Sequence, residues 1–251
     1  WKAADFHGYD AIYHTAALVH MEQDKQDPRQ ASLYDRVNAQ LPIAIAEKAK
    51  AEGVGQFLFL STAAVYGCTA PFGKTVTITA DTPIHPADNY GASKWKAEQG
   101  LRALAEDGFH VAILRPPMIY GKGCKGNYRT LEAMARKLPC FPAVSNRRSI
   151  LYVGNLNELV RLLLQSGEGG TFCPQNSEYV NTAQLVRQIA REHGRHVALV
   201  PGCSWALSLL RHMTPAVDKA FGSLCYDFAL SQYPQDYCLW DFAASVRESE
   251  H

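Results

Sequence analysis

The chain has 251 residues, 47% of them hydrophobic, enough to bury a real core as one domain or as one domain with an appended lobe. A formal net charge of +1 leaves no electrostatic footprint for nucleic acid or an anionic membrane. Seven cysteines, an odd number with no CxxC spacing, read as reduced thiols of a cytoplasmic protein, and nine histidines without paired ligand spacing argue against a metal site.

No apolar run reaches the roughly 18 to 20 residues of a membrane span. The opening residues lack the basic-then-apolar pattern of a signal peptide. The first residue is Trp1 rather than Met, which points to a chain cut from something longer.

Residues 9–17 (Tyr-Asp-Ala-Ile-Tyr-His-Thr-Ala-Ala) predict a buried strand running into a small-residue turn. Residues 33–52 carry Val37, Leu41, Ile45 and Ala49 at helical spacing, with Gly53 placed to end the helix. A strand follows at 56–60, a helix at 90–107 stopped by Gly108, and a buried strand at 111–114. This alternation predicts a parallel sheet with right-handed crossovers.

After Pro116 the pattern loosens into a helix at 128–138, a short strand at 149–153 and an amphipathic helix at 155–165. Residues 170–173 read as the last strand of the main sheet. Thr182 is placed to cap a helix over 182–193, and a strand follows at 196–200. From residue 202 onward, short helical stretches are broken by Pro215 and Pro234.

Chemistry concentrates in two segments. Asn89-Tyr90-Gly91-Ala92-Ser93-Lys94 puts a tyrosine and a lysine at i and i+4, on one helix face. The lysine's charge can favour the phenolate, lowering a tyrosine pKa that is normally about 10. Upstream, an apolar strand ends in Ser61 and Thr62, hydroxyls able to hold a substrate alcohol against that phenol. Hydroxyl, phenol and ammonium together suit oxidation or reduction of a secondary alcohol.

With Tyr13-His14-Thr15-Ala16-Ala17, Val37-Asn38, Ser61-Thr62-Ala63-Ala64-Val65-Tyr66-Gly67, Tyr90-Gly91-Ala92-Ser93-Lys94 and Arg115-Pro116-Pro117-Met118-Ile119-Tyr120-Gly121 in this order, the chain resembles the extended short-chain dehydrogenase/reductases. Within them it is similar to the NAD-dependent sugar-nucleotide epimerases of the UDP-glucose 4-epimerase type. The resemblance implies an α/β fold, a Rossmann-type doubly wound parallel sheet with a smaller C-terminal substrate-binding lobe. The sheet domain would take residues 1–122, with 149–175 returning to it; the lobe would take 123–148 and 176–251.

By the same resemblance Tyr90 is the general base, Lys94 binds the nicotinamide ribose and keeps Tyr90 acidic, and Thr62 is the catalytic hydroxyl. Ala16, Ala17, Asn38, Ser61 and Pro117, with Tyr90 and Lys94, would line the NAD site. Thr62, Asn127 and Arg148 would hold a UDP-sugar, the last two at its diphosphate. His14 would have a structural role in its turn. A homodimer through helices 33–52 and 90–107 is also implied.

The reaction implied is epimerisation through a 4-keto sugar, feeding polysaccharide or galactose pathways. A 4,6-dehydratase would need an acidic pair after Thr62, where Ala63 and Ala64 stand. An NAD(P)-dependent reductase and a non-catalytic relative without cofactor remain alternatives.

A dinucleotide fold opens on a glycine-rich turn after its first strand. Gly121-Lys122-Gly123-Cys124-Lys125-Gly126 spells that pattern, but it follows the third strand present and carries two lysines, so it reads as a mobile loop near the substrate. The family pattern places about 60 more residues, with the glycine turn, before Trp1. The expectation is a truncated chain that binds NAD poorly, is inactive as it stands, and leaves its first strand as an apolar sheet edge.

Overall fold

The computed structural model describes residues 1–19, 28–124, 126–214 and 216–251. In chain order the elements are β1 (Ala11–His14), α1 (Pro28–Tyr34), a π-helical stretch (Asp35–Gln40), α2 (Leu41–Ala51), β2 (Gln56–Leu60), a 3-10 turn (Ala63–Tyr66), β3 (Thr75–Ile78), α3 (Asn89–Leu104), β4 (His110–Leu114) and β5 (Met118–Tyr120). There follow α4 (Asn127–Lys137), β6 (Cys140–Pro142), β7 (Ile150–Tyr152), α5 (Val153–Ser166), β8 (Gly170–Phe172), α6 (Thr182–Glu192) and β9 (Ala198–Val200). The chain closes with α7 (Ser204–Leu210), α8 (Ala216–Phe221), β10 (Ser223–Tyr226), a second 3-10 turn (Phe228–Ser231) and α9 (Phe242–Glu250).

These elements gather into two compact units. The first holds Trp1–Cys68, Thr82–Pro116 and Val160–Cys173; the second holds Thr69–Asp81, Pro117–Leu159 and Pro174–His251. The division expected at residue 122 falls instead at Pro116, because β5 pairs with β7 in the second unit. Residues 69–81 join that unit because β3 pairs with β10.

In the first unit four strands lie parallel in the order β1-β2-β4-β8, the Rossmann-type arrangement the strand–helix alternation implied. Side chains alternate across the sheet. Phe57, Phe59, Val111 and Ile113 share a core with Ala46 and Ala49 of α2 and Ala97 and Leu101 of α3. Leu58, Ala112 and Leu114, at the intervening positions, are buried as well. A sheet buried on both faces explains why these strands read as nearly unbroken apolar runs.

The helix expected over 33–52 begins earlier, at Pro28, and passes through a π stretch before α2. Pro42 in the first turn of α2 has no N–H to donate, and the Leu41 N–H bonds the Arg36 carbonyl, five residues back. Gly53, at φ +84°, ends the helix as the sequence indicates. The helix expected over 90–107 stops sooner, at Leu104. Ala105 is extended, and Glu106 and Phe109 exchange backbone hydrogen bonds around Gly108 at φ +87°.

In the second unit α4, α6 and α9 pack around Tyr120, Tyr128, Val186, Ile189 and Val246. The cap of α6 is Asn181, not Thr182: the Asn181 Oδ1 accepts from the N–H groups of Ala183 and Gln184, while the Thr182 hydroxyl is buried and donates to the Ala220 carbonyl. The tail is more ordered than its composition suggested, supplying β10 and α9; Pro215 lies outside the described residues. All seven cysteines are free.

Candidate active site

Three short-range devices build the site in the first unit. Thr62, at φ −164° and ψ 153°, caps the 3-10 turn, its Oγ1 accepting from the Ala64 N–H at 3.1 Å. Asp88 caps α3 by accepting from the Gly91 N–H at 2.8 Å, which fixes Tyr90 in the first turn. The two capped segments touch through backbone, since a Cβ on Gly91 would stand 2.6 Å from the Ala64 carbonyl oxygen.

The Thr62 hydroxyl and the Tyr90 phenol share a side-chain hydrogen bond. Tyr90 is half-buried and meets Tyr34 edge-on, ring centroids 6.4 Å apart. Burial pushes the phenol above its ordinary 10.0; the Thr62 hydrogen bond pulls it down, and the neighbouring Asp88 and Tyr34 push it up again.

Lys94 lies one turn on, 1% exposed, with Nζ donating to the Leu60 carbonyl at 2.8 Å and sitting 4.4 Å from the centre of the Phe59 ring. Burial pushes its ammonium from 10.5 down to about 8, against the opposing charge of Glu98. The Lys94 charge also bears on His14. There burial first, and Lys94 second, push the imidazole down to about 4.

Two residues expected at the cofactor site have side chains engaged within the protein, and Asn38 was also expected to tie that site to a neighbouring strand. Asn38 is fully buried in the π stretch; its Oδ1 accepts from the Leu18 N–H, and its amide hydrogens go to the Leu18 carbonyl and the Ser93 hydroxyl. It secures the segment after β1 against α3 and has no amide hydrogen left for a ligand. Ser61 is buried and donates to Glu98 Oε1 at 2.5 Å.

Glu98 is the residue that the sequence reading missed. It is fully buried and grips Arg115, which donates from Nη2 at 2.6 Å and from Nε at 3.0 Å; Arg115 Nη1 then reaches the Tyr66 hydroxyl at 2.8 Å. The signal was present in the spacing, because Tyr90, Lys94, Glu98 and Arg102 follow one another at intervals of four along one helix face.

Ala16, exposed, and Ala17, half-buried, follow the C-terminal end of β1; Pro117 is half-buried at the start of the second unit. In that unit Asn127 and Arg148 do come together, lining one cavity of about 480 Å³. Arg148 donates from Nη1 to the Lys219 and Gly222 carbonyls, and among the described residues no carboxylate pairs with it. The glycine run 121–126 lies between β5 and α4 in this unit, with Lys125 outside the described residues.

The model of the NAD dependent epimerase/dehydratase family matches residues 2–173. This chain belongs to that family. A UDP-glucose 4-epimerase of Vibrio cholerae is 30% identical over 227 residues, 87% of this chain and 68% of that protein. An N-acetyl-alpha-D-glucosaminyl-diphospho-ditrans,octacis-undecaprenol 4-epimerase of Escherichia coli O157:H7 is 28% identical over 197 residues; the alignment covers 76% of this chain and 56% of that protein. Among solved structures, the UDP-glucuronic acid 4-epimerase from Bacillus cereus in complex with NAD matches with TM-score 0.69 at 16% identity, over 96% of this chain and 71% of that one.

The cofactor of the family is NAD. Two observations in the first unit fit a polar ligand of this kind at the C-terminal ends of the parallel strands. His14, on the last residue of β1, is buried and its Nε2 has no hydrogen-bond partner among the described residues. Lys94 offers three ammonium hydrogens and is seen using one, on Leu60.

The close approach at Gly91 gives a first prediction. Gly91→Ala forces α3 away from the Ala64 carbonyl, loosening the Tyr90–Thr62 contact, and should lower turnover by about 10²-fold, the cost of an ångström-scale misplacement. Melting and steady-state rates on one preparation separate this from unfolding.

Lys94 gives a second. The folded chain releases the Lys94 proton near pH 8, the unfolded chain near 10.5, so between them the unfolded state binds more protons and stability rises with pH. Below that window the buried charge costs about 3 kcal/mol in full. Urea midpoints measured across it should climb in the wild type and stay flat in Lys94→Met.

Proposed function

We propose that this protein is an NAD-dependent 4-epimerase of a sugar carried on a diphosphate ester, with UDP-glucose and UDP-galactose, or their N-acetyl forms, as first substrates. The observation that carries the reading is the Thr62 hydroxyl bonded to the Tyr90 phenol, one helical turn from the buried Lys94 ammonium.

NAD, when bound, supplies the acceptor and donor of hydride at C4. Tyr90 takes the proton of the 4-hydroxyl, and Thr62, sharing a hydrogen bond with the phenol, holds that hydroxyl in line. Returning the proton from the same phenol after the 4-keto ring has turned over yields the epimer without net redox change. Lys94 and His14 Nε2, which has no hydrogen-bond partner among the described residues, are the groups that would meet the cofactor's polar atoms.

A ring that turns over must be held by its diphosphate, not by its hydroxyls. Arg148 suits that duty: among the described residues its charge has no carboxylate beside it, burial lowers its pKa, and guanidinium forks match phosphate oxygens. Asn127, in the first turn of α4, lines the same cavity.

A second reading keeps the chemistry and changes the carrier. The cavity beside Arg148 is lined largely by hydrocarbon, with Met118, Leu131, Leu138, Phe141, Val217 and Phe221, which suits a prenyl chain better than a hydrogen-bonding nucleobase. The Escherichia coli relative bears the name of an epimerase acting on a diphospho-undecaprenol sugar.

The test is product analysis with catalytic NAD and either UDP-galactose or a prenyl-diphosphate N-acetylglucosamine. Conversion to the C4 epimer without NADH accumulation supports the epimerase, and the better substrate identifies the carrier. Stoichiometric NADH, or a dehydrated product, would replace it with a dehydrogenase or dehydratase.

A further inference from the structure

Apolar side chains dominate the lining of the second unit's cavity, and further apolar side chains are exposed along the chain beyond it. Met134 and Leu138, at the end of α4, line the cavity and are exposed. Pro142, on the same wall, pairs across β6 and β9 with Val200, also exposed. Beyond β9, Trp205, Leu209 and Met213 are 76%, 64% and 79% exposed. Their spacing of four stacks them along one side of α7 and the turn after it. Leu207, on another side, is buried in the unit's core, so the helix is anchored while this stripe faces water.

The charge around this stripe is one-sided. No aspartate or glutamate occurs from His193 to Val217, whereas the exposed Arg195 lies within that segment and the exposed Lys137 and Lys219 lie at the end of α4 and in α8. Arg211 is paired with Asp218 at 3.4 Å and is not counted among them. The net charge of +1 over the whole chain conceals this local asymmetry.

We propose that α7, its following turn and the cavity rim form a docking face for the surface of an anionic lipid bilayer. An exposed indole with aliphatic neighbours and flanking cations is the composition that seats at a headgroup–acyl boundary. A second copy of the chain fits less well, since an isologous contact would bring the same cations face to face. No described helix is long and apolar enough to cross a membrane, so the contact is with its surface. It leaves the cavity mouth open towards lipid, as the prenyl-carrier reading requires, yet vesicle binding reads no turnover and stands or falls apart from that reading.

The experiment is flotation of the protein with phosphatidylcholine vesicles, with and without phosphatidylglycerol, alongside Trp205 emission. The expected result is flotation with the anionic vesicles only, weakened by salt, with a blue shift absent in Trp205→Phe. Leu209→Glu with Met213→Glu should reduce binding by about tenfold or more, each burying one large apolar side chain less, with circular dichroism unchanged. Absence of flotation by the folded wild type overturns the proposal. So does concentration-dependent dimerisation that the double variant abolishes, which would make the face an interface between copies.

Discussion

Tyr90→Phe should slow turnover by about 10²–10⁴-fold, the share a positioned acid–base group contributes, while leaving the melting temperature nearly unchanged. The ring and its edge contact with Tyr34 survive the change; one hydroxyl and its hydrogen bond to Thr62 do not. The pH profile carries more information than the loss itself. Burial raises the phenol's pKa and the Thr62 hydrogen bond lowers it. Thr62→Val should therefore move the rising limb of the pH–rate curve upward, and Thr62→Ser should restore it. Because the two hydroxyls act as a unit, the double variant should be little worse than Tyr90→Phe alone. A Tyr90→Phe protein retaining a tenth of wild-type turnover would move the base elsewhere. A Thr62→Val profile that falls without shifting would leave Thr62 with substrate positioning only.

The parallel sheet was legible because its strands, buried on both faces, are short apolar runs separated by helical spacing, and Gly53 marks the end of α2 plainly. The helix boundaries that slipped did so at local backbone devices that apolar spacing does not register. The helical run starts at Pro28 and passes through a π stretch just before Pro42 of α2, and α3 stops at Leu104 because Glu106 and Phe109 close a turn. β10 was invisible because its partner, β3, lies almost 150 residues earlier in the chain, a pairing that no local window contains.

The site divided in the same way. Thr62 and Tyr90 lie on segments capped by their own neighbours, so motif and geometry coincide. Ser61 and Asn38 belong to the same motifs, yet their side chains turn inward, a choice made by Glu98 and Leu18 from other segments. Tyr66 and Arg115 carry the resemblance without an assigned duty. The structure gives them one: Arg115, just after β4, donates both to Glu98 of α3 and to the Tyr66 hydroxyl, tying α3 and the 3-10 turn to the end of β4.

That tie sets up the largest stability effect. Glu98 is fully buried between Ser61, Arg102 and Arg115, and Arg115 is itself 6% exposed. Burial works against the Arg115 charge, and the hydrogen bonds and charge of Glu98 outweigh it. Glu98→Gln removes the counter-charge and leaves a guanidinium in the interior, so it should cost about 3–5 kcal/mol. Urea unfolding of the first unit, followed by the fluorescence of Trp95 beside Arg115, would measure it. Replacing both partners with methionine should recover most of the loss, because no uncompensated charge then remains. Turnover would separate the two roles of the network. Ser61 precedes Thr62 and is held by Glu98, so the double methionine variant should refold but still react slowly, its catalytic hydroxyl no longer held in register with Tyr90. Equal recovery of stability and rate would confine Glu98 to the core.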